Sequence, residues 1–245
     1  MSRNFELLRR AGKEDLLLGR SRNGSPPENG ERYRMHPGTP IQREVIQFVQ
    51  LVFMVPNSHA PRAVVFANAQ GNGSSEICSQ AGQVLAAQGS GSVCLVDANL
   101  RAPFLHQLFG VGMFPGLVDA TVKPGPIKDF AKRIAGGNLW LVPPGSRADG
   151  AHSLFASDRL RWRMQELRKV FDYVLIDAPP ITSSAEAVLL GQMADGVILV
   201  VEANSTRRET ARTAKETFED ANVKLLGAIL NNRTFPIPEA LYRKL

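Results

Sequence analysis

The sequence predicts an α/β fold built on a doubly wound, mostly parallel sheet. Short apolar runs alternate with helical stretches, and each run is apolar at consecutive positions rather than at every second one. Strands covered by helices on both faces need that composition, and strand–helix alternation gives parallel neighbours with right-handed crossovers. The predicted strands are 62–67, 92–97, 138–142, 172–177, 196–201 and 223–230. The predicted helices are 40–55, 75–88, 158–170, 185–193 and 206–221.

The first predicted strand leads into a glycine-rich loop and then a helix of small residues, which is the context of a phosphate-binding loop. That motif has a glycine, four residues, a second glycine, a lysine, and then serine or threonine. Gly73 and Ser75 match it, but Asn68 stands at the first glycine and Ser74 stands at the lysine. A dinucleotide-binding loop would need a glycine where Glu76 lies, so we favour a P-loop NTPase-like fold.

Backbone amides give such a loop its affinity for anions, together with the N-terminus of the following helix. Glycines in the loop let the backbone approach phosphate oxygens closely. The loop therefore predicts a nucleotide site whose residues are Gly71, Asn72, Gly73, Ser74, Ser75 and Glu76.

Two aspartates stand at the ends of predicted strands, Asp97 after an apolar run and Asp177 after another. Carboxyl ends of parallel strands meet at one edge of a sheet, where ligands bind in such folds. Carboxylates and a hydroxyl suit a hard cation, so we predict Mg²⁺ ligands at Asp97, Asp177 and Ser75. The alternative is that each aspartate caps the turn that follows its strand. The presence of both beside the loop favours the metal site.

Composition and charge narrow the classes of protein. The chain of 245 residues is long enough for one α/β domain with extensions, and no apolar run reaches the ~20 residues that span a bilayer. We expect Cys78 and Cys94 to be buried thiols and see no secretory signal, which predicts a cytoplasmic protein. The histidines lack metal-ligand spacing, so we assign no metal cluster to them. The net charge of +6 is compatible with nucleic acid, an anionic membrane or nucleotide, but we favour an ordinary soluble surface.

The ends of the chain differ from its middle in composition. An amphipathic helix is predicted near the N-terminus, followed by a stretch rich in Gly, Ser, Pro, Asn and Arg that reads as a flexible linker. The helix packs on its own domain or docks to a partner chain, and the sequence supports both interpretations equally. The predicted segments are a docking segment at 1–18, a linker at 19–39, an α/β domain at 40–235 and a short tail at 236–245.

Spaced motifs from the second predicted strand onward carry a family resemblance. They are Asp97-Ala98-Asn99-Leu100-Arg101-Ala102-Pro103, Leu108-Phe109-Gly110, Gly116-Leu117-Val118-Asp119, Leu141-Val142-Pro143-Pro144-Gly145, Asp172-Tyr173-Val174-Leu175-Ile176-Asp177-Ala178-Pro179-Pro180 and Gly227-Ala228-Ile229-Leu230-Asn231. With these motifs, residues 40–235 resemble the bacterial tyrosine autokinases of capsule and exopolysaccharide synthesis, P-loop kinases within the broader MinD and ParA group.

The resemblance implies ATP or ADP bound with Mg²⁺, with Asp97 and Asp177 organising the metal and the attacking hydroxyl and Asn231 contacting the adenine. It implies a partner as well, a membrane-embedded polysaccharide chain-length regulator or co-polymerase whose cytoplasmic tail completes the kinase site. The protein would then lie at the periphery of the inner membrane through that partner. We also consider a homo-oligomer, and we expect no specific nucleic acid partner.

Departures from the family pattern fall on catalytic residues. Ser74 replaces the lysine that cradles the β- and γ-phosphates, and losing one comparable electrostatic donor costs on the order of 10²–10³ in rate. Asn99 replaces the second acid of an Asp-x-Asp pair, and Ala102 replaces a second arginine. Arg101 remains, and we predict it as a catalytic residue that supplies part of the missing charge.

Assembly and phosphoacceptor features are also reduced. The family's ring-forming helix carries Glu-x-x-Arg-x-x-Arg, whereas the nearest match is Glu44-x-x-Gln47-x-x-Gln50, which argues against a ring. The family phosphorylates a tyrosine-rich C-terminal tail, whereas the tail of this chain has Tyr242 alone as a candidate phosphoacceptor.

These departures favour a kinase-like regulatory component of exopolysaccharide synthesis and export, with weak or absent phosphotransfer. The first alternative is an active ATP-dependent tyrosine autokinase. The second is a ParA- or MinD-like ATPase that binds DNA or membrane, although the loop stretch Asn68-Ala69-Gln70 lacks the additional lysine of that group.

Overall fold

The fold is a seven-stranded sheet between two layers of helices. The computed structural model describes residues 40–54, 60–88, 91–134, 137–146 and 151–232. The strands are β1 Ala63–Asn68, β2 Val93–Asp97, β3 Lys132–Ile134, β4 Leu139–Val142, β5 Tyr173–Ala178, β6 Gly196–Glu202 and β7 Leu225–Asn231. The helices are α1 Pro40–Phe53, α2 Ser74–Ala87, α3 Leu105–Leu108, α4 Leu117–Val122, α5 Ala151–Phe155, α6 Asp158–Val170, α7 Glu186–Met193 and α8 Arg208–Asp220. A 3₁₀ helix spans Ile127–Phe130.

The strand order is β3-β4-β2-β5-β1-β6-β7, and every neighbouring pair is parallel except β3 with β4. The predicted doubly wound parallel sheet is therefore confirmed. The strand that precedes the glycine loop, β1, lies between β5 and β6 at the centre.

Side chains of the central strands alternate between two hydrophobic layers. Val65 of β1 packs on one side with the buried faces of α4 to α8, whereas Val64 and Phe66 pack on the other with α1, α2 and α3. All six residues of β1 are buried, which explains why its sequence is apolar at consecutive positions.

Several short elements were not predicted from the sequence. The antiparallel edge strand β3 is only three residues long and reads Lys-Arg-Ile, so it has no apolar run to detect. The short helices α3, α4 and α5 and the 3₁₀ turn were also missed, because four to six residues are too few for a helical period. Asn231 is the last residue of β7, not the residue after it.

Some expectations fall outside the described residues, namely the helix at 3–18, the linker at 19–39 and the tail with Tyr242. Both cysteines are free and buried, as the sequence predicted. Within the described part of the chain, no helix has the length and apolar composition needed to cross a membrane.

Helix α6 is held at its start by a cap and along its length by a buried arginine. The Ser157 hydroxyl accepts a hydrogen bond from the backbone N–H of Leu160, as an N-cap does. Arg163 donates to the backbone carbonyls of Ala120, Lys123 and Gly125 at 2.6, 2.9 and 2.8 Å.

Arg163 also donates to the Glu166 carboxylate at 2.7 Å, and the residue is 3 % exposed. The carboxylate of Glu166 accepts in turn from the backbone N–H of Ile127. A single buried guanidinium thus joins α6 to the end of α4 and to the turn that follows it.

Replacing Arg163 by alanine should lower the free energy of unfolding by about 3–5 kcal/mol, because it leaves buried carbonyls and a carboxylate without their donor. Arg161, exposed on the same helix, is the matched control, and Arg161→Ala should stay within about 0.5 kcal/mol of the parent. Urea unfolding of the full chain measures both. Equal losses in the two variants would contradict the anchoring role.

Candidate nucleotide site

The predicted site residues meet at the carboxyl edge of the sheet. The loop between β1 and α2 carries Gly71 at φ 78° and Gly73 at φ 123°, and α2 begins at Ser74. Both angles lie in the left-handed region that glycine adopts without a steric penalty. An added Cβ at Gly73 would come within 2.6 Å of the Asn231 amide nitrogen, so this glycine also permits close approach of β7.

The two loop serines point toward the sheet and bind one carboxylate. The Ser74 hydroxyl donates to Asp177 Oδ1 at 2.7 Å, and the Ser75 hydroxyl donates to Asp177 Oδ2 at 2.5 Å. The Asn68 amide donates to the Ser74 oxygen at 3.0 Å. Asn68 and Ser74, the residues at the motif's first glycine and lysine positions, are therefore hydrogen-bonded to each other and buried.

Asp177 lies beside Asp97, because these residues are register partners on the neighbouring strands β5 and β2. Both carboxylates are fully buried. Burial and the Asp97 charge raise the pKa of Asp177 to about 7, against the lowering effect of the two serine hydroxyls. Burial also raises the pKa of Asp97, opposed by its hydrogen bonds and by His106.

Asp97 fills one of the two roles that the sequence left as alternatives, the turn cap, and its role as a Mg²⁺ ligand stays a prediction. Its Oδ2 accepts hydrogen bonds from the backbone N–H groups of Phe104 and Leu105 at 3.1 and 3.0 Å, so it caps the turn into α3. His106 Nδ1 lies 3.8 Å from the same oxygen. The other oxygen, Oδ1, is buried without a hydrogen-bond partner, which is the kind of atom that a ligand or bound water satisfies.

The donor set suits a magnesium ion bound together with a nucleotide. Among the described residues, no group of three or more His, Cys, Asp and Glu side chains could hold a metal by itself. Mg²⁺ usually keeps several waters and takes one or two carboxylates plus substrate phosphates. Asp97 with its unpartnered Oδ1, Asp177 and the Ser75 hydroxyl fit that requirement.

Arg101 lies close to an acid of α7. Its guanidinium is 3.7 Å from Glu186 Oε1, with the Arg101 side chain 46 % exposed and that of Glu186 buried. Asn99, which replaces the second acid of the family motif, accepts the backbone N–H of Ala102 through its amide oxygen at 3.3 Å. The segment 99–102 is therefore a turn fastened by Asn99, and the catalytic role of Arg101 stays a prediction.

The sequence analysis missed an acid beside the loop. Glu202, the last residue of β6, has Oε2 3.4 Å from the position that a Cβ on Gly71 would occupy. Its other oxygen accepts from the Asn232 amide at 3.2 Å. The rule that selected Asp97 and Asp177, a polar residue at the carboxyl end of a strand, would have found Glu202 if applied to β6.

A second missed carboxylate, Asp119, organises the loop after β4. It is buried and accepts from the Gly116 N–H at 3.0 Å, the Ser146 N–H at 3.1 Å and the Ser146 hydroxyl at 2.7 Å. These bonds hold its pKa below its usual range, although burial acts in the opposite direction. An added Cβ at Gly116 would meet the Pro143 carbonyl at 2.3 Å, so this glycine allows the two segments to touch.

Known proteins with related sequences include tyrosine-protein kinase YwqD of Bacillus subtilis, which is 32 % identical over 163 residues, covering 66 % of this chain and 68 % of YwqD. The chain belongs to the bacterial tyrosine-protein kinase family. Putative tyrosine-protein kinase CapB of Staphylococcus aureus is 26 % identical over 145 residues, 59 % of this chain and 64 % of CapB. No profile of a known protein family matches the chain.

The match spans different fractions of the family members. It covers only 20 % of tyrosine-protein kinase wzc of Salmonella typhimurium, at 29 % identity over 140 residues. The activity, substrates and partners of those longer proteins therefore do not pass to this chain by similarity alone.

Solved structures show the same fold at low identity. The chimerical protein CapA2B2 superposes with a TM-score of 0.76 at 22 % identity, covering 82 % of this chain and 88 % of the other. The cell division protein MinD of Aquifex aeolicus has a TM-score of 0.59 at 19 % identity, covering 75 % and 72 %. The P-loop, MinD-like architecture predicted from the sequence is thereby confirmed.

Ionisation of Asp177 should make the free energy of unfolding fall as pH rises. Its folded pKa of about 7 lies above the unfolded value of 3.8, so the folded state binds the proton more tightly. The resulting stability is fully present below the unfolded pKa and is lost as pH rises through the folded pKa. Asp177→Asn should remove a large part of the fall between about pH 4 and about pH 7 in urea unfolding with EDTA present, and buried Asp97, whose pKa is also raised, contributes to the rest.

Asp172 provides the matched control, since hydrogen bonds from Ser92 lower its pKa. Stability from such a group is lost only in the acid range, so Asp172→Asn should keep the fall near neutral pH. An unchanged pH profile in Asp177→Asn would contradict the assignment.

Proposed function

We propose that the protein is a kinase-like regulatory component of exopolysaccharide synthesis and export, with weak or absent phosphotransfer. The observation that carries the proposal is the state of Ser74. It stands where the family's phosphate-binding lysine belongs, it is 1 % exposed, and its hydroxyl is committed to Asp177. The side chain at position 74 therefore supplies neither a cation nor a free hydroxyl donor to a phosphate, and only its backbone N–H remains to do so. Phosphoryl transfer depends on positioning and charge stabilisation, and this site lacks a main part of the latter.

The remaining site supports weak nucleotide binding that acts as a switch. The loop glycines and the N-terminus of α2 offer backbone amides to ATP or ADP. Asp97, Asp177 and Ser75 would hold Mg²⁺, which when bound neutralises phosphate charge. Asn231 lies against Gly73, and we keep it as a candidate adenine contact. Glu202 beside Gly71 adds negative charge close to the loop, which further weakens the binding of an anion.

The proposed partner is a membrane-embedded polysaccharide chain-length regulator or co-polymerase. The protein would lie on the cytoplasmic side, held at the inner membrane through that partner, with residues 1–18 as a docking segment. Support for this comes from family membership and from the departures in the site, which remove catalytic groups while leaving the buried framework intact. Gln47 and Gln50, both exposed on α1, take the place of the family's ring-forming arginines.

An active autokinase is the second candidate. The observation that favours it is the position of Arg101, whose partly exposed guanidinium follows Asp97 at the carboxyl edge. It would supply the missing cation, with Tyr242 as phosphoacceptor. A ParA- or MinD-like ATPase has support from fold similarity alone, and a salt-dependent DNA mobility shift would favour it.

Calorimetric titration of Mg²⁺–ATP and Mg²⁺–ADP into the full chain tests the charge argument. Ser74→Lys should tighten nucleotide binding at least about tenfold over the parent, since it restores a cation beside the phosphates. Ser74→Met is the matched control: its side chain is long and uncharged, so it should give no gain. Equal gains in both variants would show that breaking the Ser74–Asp177 bond matters more than charge.

Incubation with labelled ATP and a peptide from a candidate partner tests phosphotransfer. We expect little label on the parent chain and more on Ser74→Lys. Strong label on the parent that disappears in Tyr242→Phe and in Asp177→Asn would establish the autokinase instead. Loss of label in Arg101→Ala would then identify the replacement cation.

A further inference from the structure

An exposed tryptophan lies on the outer face of α6. Trp162 is 56 % exposed, and Val122 at the end of α4 is 64 % exposed. Both are large apolar residues on a surface where exposure costs free energy. Neither belongs to the site at the carboxyl edge, so the site's chemistry does not explain them.

Arg163 links the two segments that carry these residues. Its guanidinium carbon lies 4.6 Å from the Trp162 ring centre, and it binds the carbonyls of Ala120 and Lys123, which lie on either side of Val122 in the chain. Because Arg163 is itself buried and contacts both the Trp162 ring and the carbonyls beside Val122, it holds this part of α6 against the end of α4.

Exposed cations lie near the apolar pair. Arg159 lies one turn before Trp162 on α6 and Arg161 directly precedes it, while the Lys123 side chain is 61 % exposed with its Nζ 3.3 Å from Asp119 Oδ1. Asp158 is an exposed acid near these cations on α6. The carboxylate of Glu166, on the same helix, is paired with Arg163. We call the set Trp162, Val122, Lys123, Arg159 and Arg161 the Trp162 surface.

We propose that the Trp162 surface binds directly to anionic phospholipid headgroups. Tryptophan prefers the membrane–water interface, where its ring is in an apolar layer and its N–H meets polar groups. Each cation near an anionic leaflet adds attraction, and the whole chain has a net charge of +6. The proposal gives the net positive charge a binding role, whereas composition alone favoured an ordinary soluble surface.

The shape of the surface favours a bilayer over an acidic peptide. Peptide recognition uses grooves or unpaired strand edges, whereas Trp162 stands on the outer face of a helix. The described cleft on this helix, about 330 Å³, is lined by Arg161, Met164, Gln165 and Arg168 of α6 with residues 192–195, and its lining includes neither Trp162 nor Val122. An exposed ring on a helix face with cations near it suits a flat anionic surface better than a bound peptide.

Vesicle binding with tryptophan fluorescence tests the proposal on the full chain. Trp140 and Trp162 are the two tryptophans, so Trp140→Phe leaves Trp162 as the reporter. With vesicles of equal parts phosphatidylglycerol and phosphatidylcholine, we expect a blue shift of Trp162 emission and co-sedimentation that weakens with salt. Phosphatidylcholine alone should give neither.

The charge contribution has a matched control on α8. Arg159→Glu with Arg161→Glu should weaken binding at least about twenty-five-fold, from roughly fivefold for each of the two cations lost near the surface. Arg207→Glu with Arg208→Glu makes the same change in net charge with two exposed arginines at the start of another helix, and should weaken binding much less. Both pairs place acids at a helix N-terminus, which the helix tolerates.

Three outcomes would overturn the proposal. The first is equal weakening by the two charge reversals, and the second is an unshifted Trp162 emission in the presence of bound vesicles. The third is tighter binding of a poly-glutamate peptide or a DNA duplex at the same surface, which would identify a macromolecular anion instead. Nucleotide and phosphotransfer have no part in these measurements, so the result is independent of the proposed function.

Discussion

The site depends on one buried carboxylate, Asp177, which joins the phosphate loop to the centre of the sheet. Two serine hydroxyls of the loop donate to its two oxygens, and the charge of Asp97 on the adjacent strand opposes its ionisation. The hydrogen bonds draw the start of α2 inward, and burial raises the cost of placing a second negative charge there. The loop's conformation and the protonation of the site are therefore consequences of one interaction, and the weak anion binding that we propose would follow from it as well.

The framework could be predicted because its physical signals are local and repeated. Consecutive apolar residues mark strands buried on both faces, and the glycine loop after β1 identifies the carboxyl edge where ligands bind. Asp97 and Asp177 were found by their positions at strand ends, and the parallel register of β2 and β5 places them side by side. Strand direction, which the connecting helices fix, places both residues at one edge, whereas the adjacency of β2 and β5 is seen only in the fold.

Contacts between distant segments could not be predicted from the sequence. Nothing in Gly116-Leu117-Val118-Asp119 shows that its carboxylate binds Ser146 across a gap of 27 residues. Arg163 reads as one of several charges on α6, and only the fold reveals that its side chain is buried under three carbonyls. The three residues of β3 acquire strand geometry from β4 rather than from their own composition.

The hydrogen-bond chain Asn68–Ser74–Asp177 also has a consequence for sequence variation. Asn68 donates to Ser74, and Ser74 donates to Asp177, so Ser74 links the Asn68 amide to the buried carboxylate. A lysine at 74 would leave the Asn68 amide buried without an acceptor, which is costly. Among related sequences, positions 68 and 74 should therefore change together, and chains with lysine at 74 should seldom carry asparagine at 68.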